Sequence, residues 1–320
     1  MLSIGRCSST HTRSSSLRSL ASVHRLFVLS KAISQAKMLL LLLAVITIVS
    51  TAPVSKWIDL SYTVDENVMR YPLHRPFNHT PAIYIKDKAF FAKSFDISTA
   101  EHVATHIDAP NHLTNTEEEA RNFKSIDQIP LDGLIGDAIV VNISAKAAIN
   151  PDAELTVEDL QEWEKQYGQI PDGAILLMNS GWGKYWGNKE KFTGTKTENS
   201  SLLHYPGMHK DAAQWLVDNR NIKVFGTDTL SLDYGPSSDF PTHVALLPRG
   251  IIGIEMVANV EKLPPKGATV FVLPMKIGGG TGAPVRMIAT IKEPMPINRL
   301  PRLAGYLALI AMANMLALLF

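Results

Sequence analysis

Between residues 53 and 298 the chain alternates short apolar runs with polar, turn-forming stretches. The runs WIDLSYTV, AIYIKD, DAIVVNIS, GAILLMNS, VFGTDTLS, GIIGIEMV and TVFVLPMKI are rich in β-branched residues and bounded by Gly, Pro, Asn or Asp. Each predicts a strand. Two segments switch to a helical period. TVEDLQEWEKQYG opens on Thr156, carries Glu158 and Asp159 in its first turn and ends at Gly168, the marks of a capped helix. GMHKDAAQWLVDNRN reads as a second amphipathic helix. No internal repeat or low-complexity linker interrupts this span. Strands outnumber helices, so the pattern predicts one α/β domain over 53–298, a mixed, strand-rich sheet core flanked by helices.

Both ends depart from this pattern. Residues 1–37 hold no Asp or Glu and are rich in Ser, Arg and Lys, a composition that on its own resembles a mitochondrial transit peptide. MLLLLLAVITIVSTA follows at 38–52, with Ser50 and Ala52 placed as in a secretory cleavage site before Pro53. Met38 is an alternative start, and an uncleaved signal anchor is the competing reading. At the other end, the uncharged Leu303–Phe320 run predicts a membrane anchor or a removable GPI signal. Sequons at Asn78, Asn142 and Asn199 agree with the secretory route. Together these predict an extracellular or membrane-anchored protein.

Composition narrows the choices. The chain has 320 residues, 46% hydrophobic and 19% charged, with a formal net charge of +1. So balanced a charge gives no electrostatic reason to expect a nucleic-acid partner. The single cysteine, Cys7, lies ahead of the leader, so the domain has neither a disulfide nor a thiol nucleophile and must hold together by its core.

The candidate chemistry concentrates in EHVATHIDAPNHL, residues 101–113. His102, His106, Asp108 and His112 share one parity, with Val103, Thr105, Ile107 and Ala109 between them. In an extended strand the four polar groups would lie on one face. A helix would also bring His102 and His106 together, although Pro110 disfavours a long helix here. A lone histidine is ordinarily a surface or hydrogen-bonded core residue. Imidazoles clustered with a carboxylate are instead a ligand set for zinc or manganese. Further along, His243 follows Pro241 in a short helical segment, and Glu255 sits within the apolar run GIIGIEMV, where an unpaired carboxylate would be costly. Spacing alone forces neither towards residues 102–112.

HVATHIDAPNH resembles the H-x-G-T-H-x-D-x-P-x-H motif of the cyclase family, metal-dependent hydrolases that include bacterial kynurenine formamidases and isatin hydrolases. DLSYTVDENVMRYP, DTLSLDYGPSSDFPTH and KIGGGTGAPVRMIA match further family blocks in order, across most of residues 57–292. The resemblance implies a swivelling β/β/α fold and a homodimer. It implies His102, His106 and Asp108 as metal ligands, His243 and Glu255 completing a two-ion site bridged by Asp108, and His112 as catalytic acid/base. Zinc is the favoured ion and manganese the alternative. Tyr71 falls where formamidases place a substrate-contacting aromatic, often Trp. Ala104 stands where the motif has Gly.

These parts predict hydrolysis of a small aromatic amide. A divalent ion polarises the carbonyl and lowers the pKa of water, and a histidine with an ordinary pKa near ~6.5 can protonate the departing nitrogen. The leading expectation is an arylformamidase that converts N-formylkynurenine to kynurenine and formate. Ring opening of isatin or another cyclic amide is the alternative, and a non-catalytic secreted metal-binding protein the alternative of another class. Intact His112 argues against the last. NSGWG is not a serine-hydrolase elbow, and no H-E-x-x-H protease motif occurs. Trp182, with Tyr185 and Trp186, offers a substrate-lining aromatic cluster, with core packing as its competing use. Asp228 and Asp233 are candidates for orienting the ligand histidines, with turn capping the simpler role.

Overall fold

The computed structural model of the chain describes residues 54–293, together with 25–27, 29–31, 33–38, 40, 41, 305 and 309. Ser55–Lys292 forms one compact unit, and Met1–Val54 with Glu293–Phe320 forms the other. In the latter, the described positions between 25 and 41 are helical. Apart from isolated positions, the leader expected over 38–52 and the tail expected over 303–320 lie outside the described residues. Among the described residues no helix is long and apolar enough to cross a membrane.

The larger unit is built on β1 (Val54–Asp59), β4 (His106–Asp108), β5 (Ile135–Asn142), β7 (Ile175–Asn179), β9 (Val224–Thr227), β10 (Ile252–Glu255), β11 (Lys266–Pro274) and β12 (Gly282–Glu293). Between them come an outlying antiparallel pair, β2 (Asn78–Lys86) with β3 (Phe91–Ser98), and a short parallel pair, β6 (Glu154–Leu155) with β8 (Gly207–Met208). The eight-stranded sheet runs β1-β12-β11-β5-β7-β9-β10-β4, and β4 also pairs with β12. That extra pairing closes the sheet into a barrel. β5, β7, β9 and β10 are mutually parallel, whereas β4, β11 and β12 join antiparallel. The expected mixed, strand-rich sheet is therefore present, curled on itself.

The continuous apolar runs of β5 and β7 follow from their position. Ala138, Val140, Ile175 and Leu177 face the barrel interior, while Ile139, Val141, Leu176 and Met178 pack outwards against helices. A parallel strand buried on both faces has no polar parity, which is why these segments read as unbroken hydrophobic runs. Leu177 is fully buried in this core, and truncating such a side chain to Ala costs roughly 2–5 kcal/mol.

The helices on the outer face are α1 (Val157–Tyr167) and α2 (Lys210–Asn219). Thr156 caps α1 in a capping box, its N–H donating to Asp159 Oδ2 at 2.8 Å. Gly168 ends the helix at a φ of +92°, a conformation that favours glycine. Leu160 and Trp163 of α1 and Ala212, Ala213 and Leu216 of α2 bury the apolar faces that the sequence period indicated. A third helix, α3 (Pro241–Leu246), starts at Pro241, whose missing N–H costs nothing at a first helical turn. It carries His243.

Candidate metal centre

The centre forms where β4 meets β10. In their antiparallel register Glu255 faces His106, and Gly253 faces Asp108. Directly opposed residues project to the same face, and so do positions two apart on one strand. His106, Asp108 and Glu255 therefore share a face, while Ile107 and Ile254 turn into the barrel core. Asp108 also faces Gly282 on β12. A Cβ at Gly253 would lie 2.9 Å from Asp108 Oδ2, and one at Gly282 would lie 2.5 Å from His102 Cε1. Glycine on both flanking strands makes room for the carboxylate and for the neighbouring imidazole.

The parity expectation holds for part of the motif. Only His106–Asp108 is strand, and His102 and His112 sit in the flanking loops. Ala104 breaks the extended run, with a φ of +50° in the left-handed region. This explains a family motif with Gly at that position, because a Cβ there costs roughly 1–2 kcal/mol. The same kink turns the Ala104 carbonyl towards the His106 ring, where it accepts from Nδ1–H at 2.9 Å. That bond fixes the tautomer and leaves Nε2 to face Asp108 and Glu255.

Two triads share Asp108: His102, His106 and Asp108, and Asp108, His243 and Glu255. Within each, the ligand atoms lie within 4.8 Å of one another, and all are buried. His106 Nε2 lies 3.4 Å from Asp108 Oδ1 and 3.3 Å from Glu255 Oε2. His243 Nε2 lies 3.1 Å from Glu255 Oε1 and 3.8 Å from Asp108 Oδ2. His102 Nδ1 lies 2.7 Å from Asp108 Oδ1. Each outer nitrogen has its own support. His243 Nδ1–H donates to Asp233 Oδ2 at 2.6 Å. His102 Nε2 is 3.1 Å from Thr281 Oγ1, whose hydroxyl donates to Glu101 Oε2 at 2.8 Å.

These residues fit a divalent cation on two grounds. His106 Nε2 and Asp108 Oδ2 are buried without a hydrogen-bond partner, though both sit at the middle of the cluster. Buried polar atoms are ordinarily satisfied, and a cation between them would satisfy both. The electrostatics agree. Burial pushes the His106 imidazole down, but the Asp108 and Glu255 carboxylates beside its Nε2 outweigh that and hold its pKa at about 10. Burial likewise opposes the charge on His243, and the bonds to Asp233 and Glu255 still lift it well above the usual range. The carboxylates thus demand positive charge at the centre, which protons supply here and a metal would supply instead.

His112 stacks on His102 with ring centroids 3.9 Å apart, and lies 6.0 Å from the His243 ring. Burial drives its pKa down to about 3, far below that of a free imidazole. It is therefore neutral near pH 7, with one ring nitrogen that carries no proton.

A cavity of about 160 Å³ opens over the centre, lined by Tyr71, Leu73, Leu113 and Phe240 beside His74 and His112. Tyr71, the aromatic that the resemblance singled out, is one of these lining residues. Trp182 does not line this cavity. Its indole N–H donates to Phe192 O at 2.9 Å, and its ring is buried in a cluster with Met69, Phe192, Leu203, Tyr205 and Leu230. Core packing was its competing use. Asp228 is likewise a turn residue, accepting from Ser180 and Trp182 backbone N–H groups, whereas Asp233 does orient a ligand histidine. Five cavity residues escaped sequence reasoning, Leu73, His74, Leu113, Ser231 and Phe240. Phe240 is held at a φ of +46° at the start of α3, and His74 follows the turn at Pro72. That Pro was the one local signal for His74.

A family profile described as putative cyclase matches residues 58–234, more than half of the chain. The chain belongs to the cyclase family. It is 31% identical over 219 residues to an isatin hydrolase of Roseibium aggregatum, covering 67% of this chain and 81% of that one. A kynurenine formamidase of Salinibacter ruber is 30% identical over 192 residues, covering 58% of this chain and 74% of that one. Among solved structures, isatin hydrolase A from Labrenzia aggregata, bound to benzyl benzoate, superposes with a TM-score of 0.68 at 32% identity. That match covers 75% of this chain and 94% of the other. With its two buried ligand triads, this cyclase-family chain is a metal-dependent hydrolase.

Proposed function

We propose that this cyclase-family chain opens a cyclic aryl amide of the isatin type, with zinc as its ion and manganese as the alternative. The lining of the cavity carries the reading. Its walls are aromatic and aliphatic, and no Lys or Arg is among its lining residues. The amino-acid head group of N-formylkynurenine would bring a carboxylate with no counter-charge there, and burying an unpaired charge is costly. A compact, uncharged bicyclic lactam meets no such cost. The likeness to isatin hydrolases supports the same order, reversing the expectation that placed the formamidase first.

The chain's own groups account for the rest of the chemistry. His102, His106, Asp108, His243 and Glu255 would hold the metal, which would supply Lewis acidity to the amide carbonyl and to water. Tyr71, Leu73 and Phe240 exclude bulk water and hold the planar ring. A neutral ring nitrogen of His112 takes the proton of the attacking water, then returns it to the lactam nitrogen as the C–N bond breaks. The product is an aminoaryl keto acid, with water consumed and no net proton retained by the site.

Purified full-length protein loaded with zinc, and separately with manganese, tests this on isatin and on N-formylkynurenine. Metal-dependent opening of isatin with the higher kcat/KM is the expected result. A higher kcat/KM on N-formylkynurenine would return the open-chain formamide to first place, and turnover of neither would remove both.

A further inference from the structure

His74 is an imidazole in the catalytic cavity with no part in the metal centre. It ends a tight turn in which its N–H donates to Tyr71 O at 3.0 Å, with Pro72 setting the turn. The turn is bound to the ligand loop: Ala104 N–H donates to Met69 O at 3.0 Å, and Arg70 bridges to Val103. The His74 ring adds a third tie, its Nδ1 lying 3.1 Å from His102 O. A carbonyl oxygen can only accept, so Nδ1 carries the proton. In the neutral ring Nε2 is then a bare acceptor, and among the described residues no hydrogen bond engages it. The ring is half-buried, lines the cavity and lies 5.3 Å from the His102 ring.

Apart from His112, the other cavity side chains supply apolar surface, a hydroxyl or a metal ligand. A secondary aryl amide brings one N–H donor that the ion and His112 leave unmatched. We propose that His74 is a specificity-determining residue whose Nε2 accepts the N–H of the substrate amide, selecting N–H lactams over N-alkylated ones. This rests on the cyclic-amide reading of the site. The tie to His102 O pre-sets the tautomer before the substrate arrives, so recognition needs no proton rearrangement. With the N–H held in the amide plane, the nitrogen lone pair is left free to take a proton from outside that plane.

Binding of oxindole, an unactivated N–H lactam, and of N-methyloxindole to the zinc-loaded full-length protein tests the proposal by calorimetry. The wild type should prefer oxindole about tenfold, the worth of one net hydrogen bond. His74→Asn keeps a donor at the Nδ1 position and removes the Nε2 acceptor. It should bind the two ligands about equally, through weaker oxindole binding, with its zinc content unchanged. His74→Gln, which places an amide oxygen near the Nε2 position, should recover part of the preference. Equal or absent binding of the two lactams by wild type would overturn the proposal. So would an undiminished preference in His74→Asn, or loss of zinc from it, which would make His74 only a clamp on the ligand loop. Isatin turnover is read separately: N–H preference without turnover would remove the cyclic-amide reaction and leave the role of His74 standing.

Discussion

His243 and Asp233 are joined across 2.6 Å, with the Nδ1–H of the imidazole donating to the carboxylate Oδ2. The carboxylate is itself fixed, its Oδ1 accepting from Thr242 N–H at 2.7 Å. The helix start that carries His243 therefore also carries the bond that aims it, and Nε2 is left to face Glu255 and Asp108. Removing the charge while keeping the shape isolates that effect. Asp233→Asn should weaken zinc binding by roughly 10- to 100-fold, the usual cost of losing a carboxylate behind a ligand histidine. Competition with a chromophoric chelator measures it. An unchanged affinity would mean that the Thr242 N–H alone orients the helix.

His112 makes the opposite separation. It stacks on His102 yet belongs to neither ligand triad. His112→Ala should keep its full metal content, while turnover falls by roughly 10²- to 10⁴-fold, the range associated with one general acid–base group. Metal analysis beside steady-state rates on isatin checks both halves. Loss of metal would make His112 a ligand and leave the proton transfer without an owner.

The elements most legible in the sequence were those whose signals are local. α1 announced both ends, Thr156 with Asp159 at one and Gly168 at the other. β5 and β7 showed as apolar runs because both faces are buried. β3 went unread for the converse reason: nearly every position of the β2–β3 pair is exposed, so no face is selected for burial and no alternation results. The ligand motif was visible as chemistry but not as geometry. One residue, Ala104, leaves the extended region, and a parity argument has no means of finding a positive φ at a non-glycine position. That Glu255 lies across from His106 is a matter of strand register between distant segments, which resemblance supplied and spacing could not. His74 lies on a turn whose only mark is Pro72, and its importance comes from the His102 carbonyl it reaches.

Ala104 gives a prediction in which two effects nearly cancel. Its backbone is left-handed and its side chain fully buried. Ala104→Gly releases about 1 kcal/mol of backbone strain and gives up roughly 0.8 kcal/mol of methyl burial. Its stability should thus stay within about 0.5 kcal/mol of wild type, the scale of a near-neutral change. Ala104→Val should instead destabilise the chain and cost it metal, because a β-branched side chain fits a positive φ poorly. Denaturant midpoints with metal analysis decide the pair. A strongly destabilised glycine variant would show that the methyl contact outweighs the strain.

The ion pair between Glu164 and Arg220 ties the end of α1 to the residue that ends α2, with Arg220 Nε 2.6 Å from Glu164 Oε1. The Arg220 hydrogen bonds hold the Glu164 carboxyl below its ordinary range, against a smaller opposing push from burial. A depressed folded-state pKa means that the unfolded chain takes up the proton first. The stabilisation is therefore present above the ordinary glutamate pKa of about 4.3 and is lost as pH falls through the lower, folded value. Both side chains retain some solvent access, 16% and 14% exposed, so screening keeps the pair's worth on the order of 1 kcal/mol. Glu164→Gln should be less stable than wild type by that margin at pH 7, and the gap should close below about pH 4. Urea melts of both proteins across pH 3 to 7 measure it. A gap that persists in acid would assign the stabilisation to the Ile170 N–H bond at Glu164 Oε1 and to packing rather than to charge.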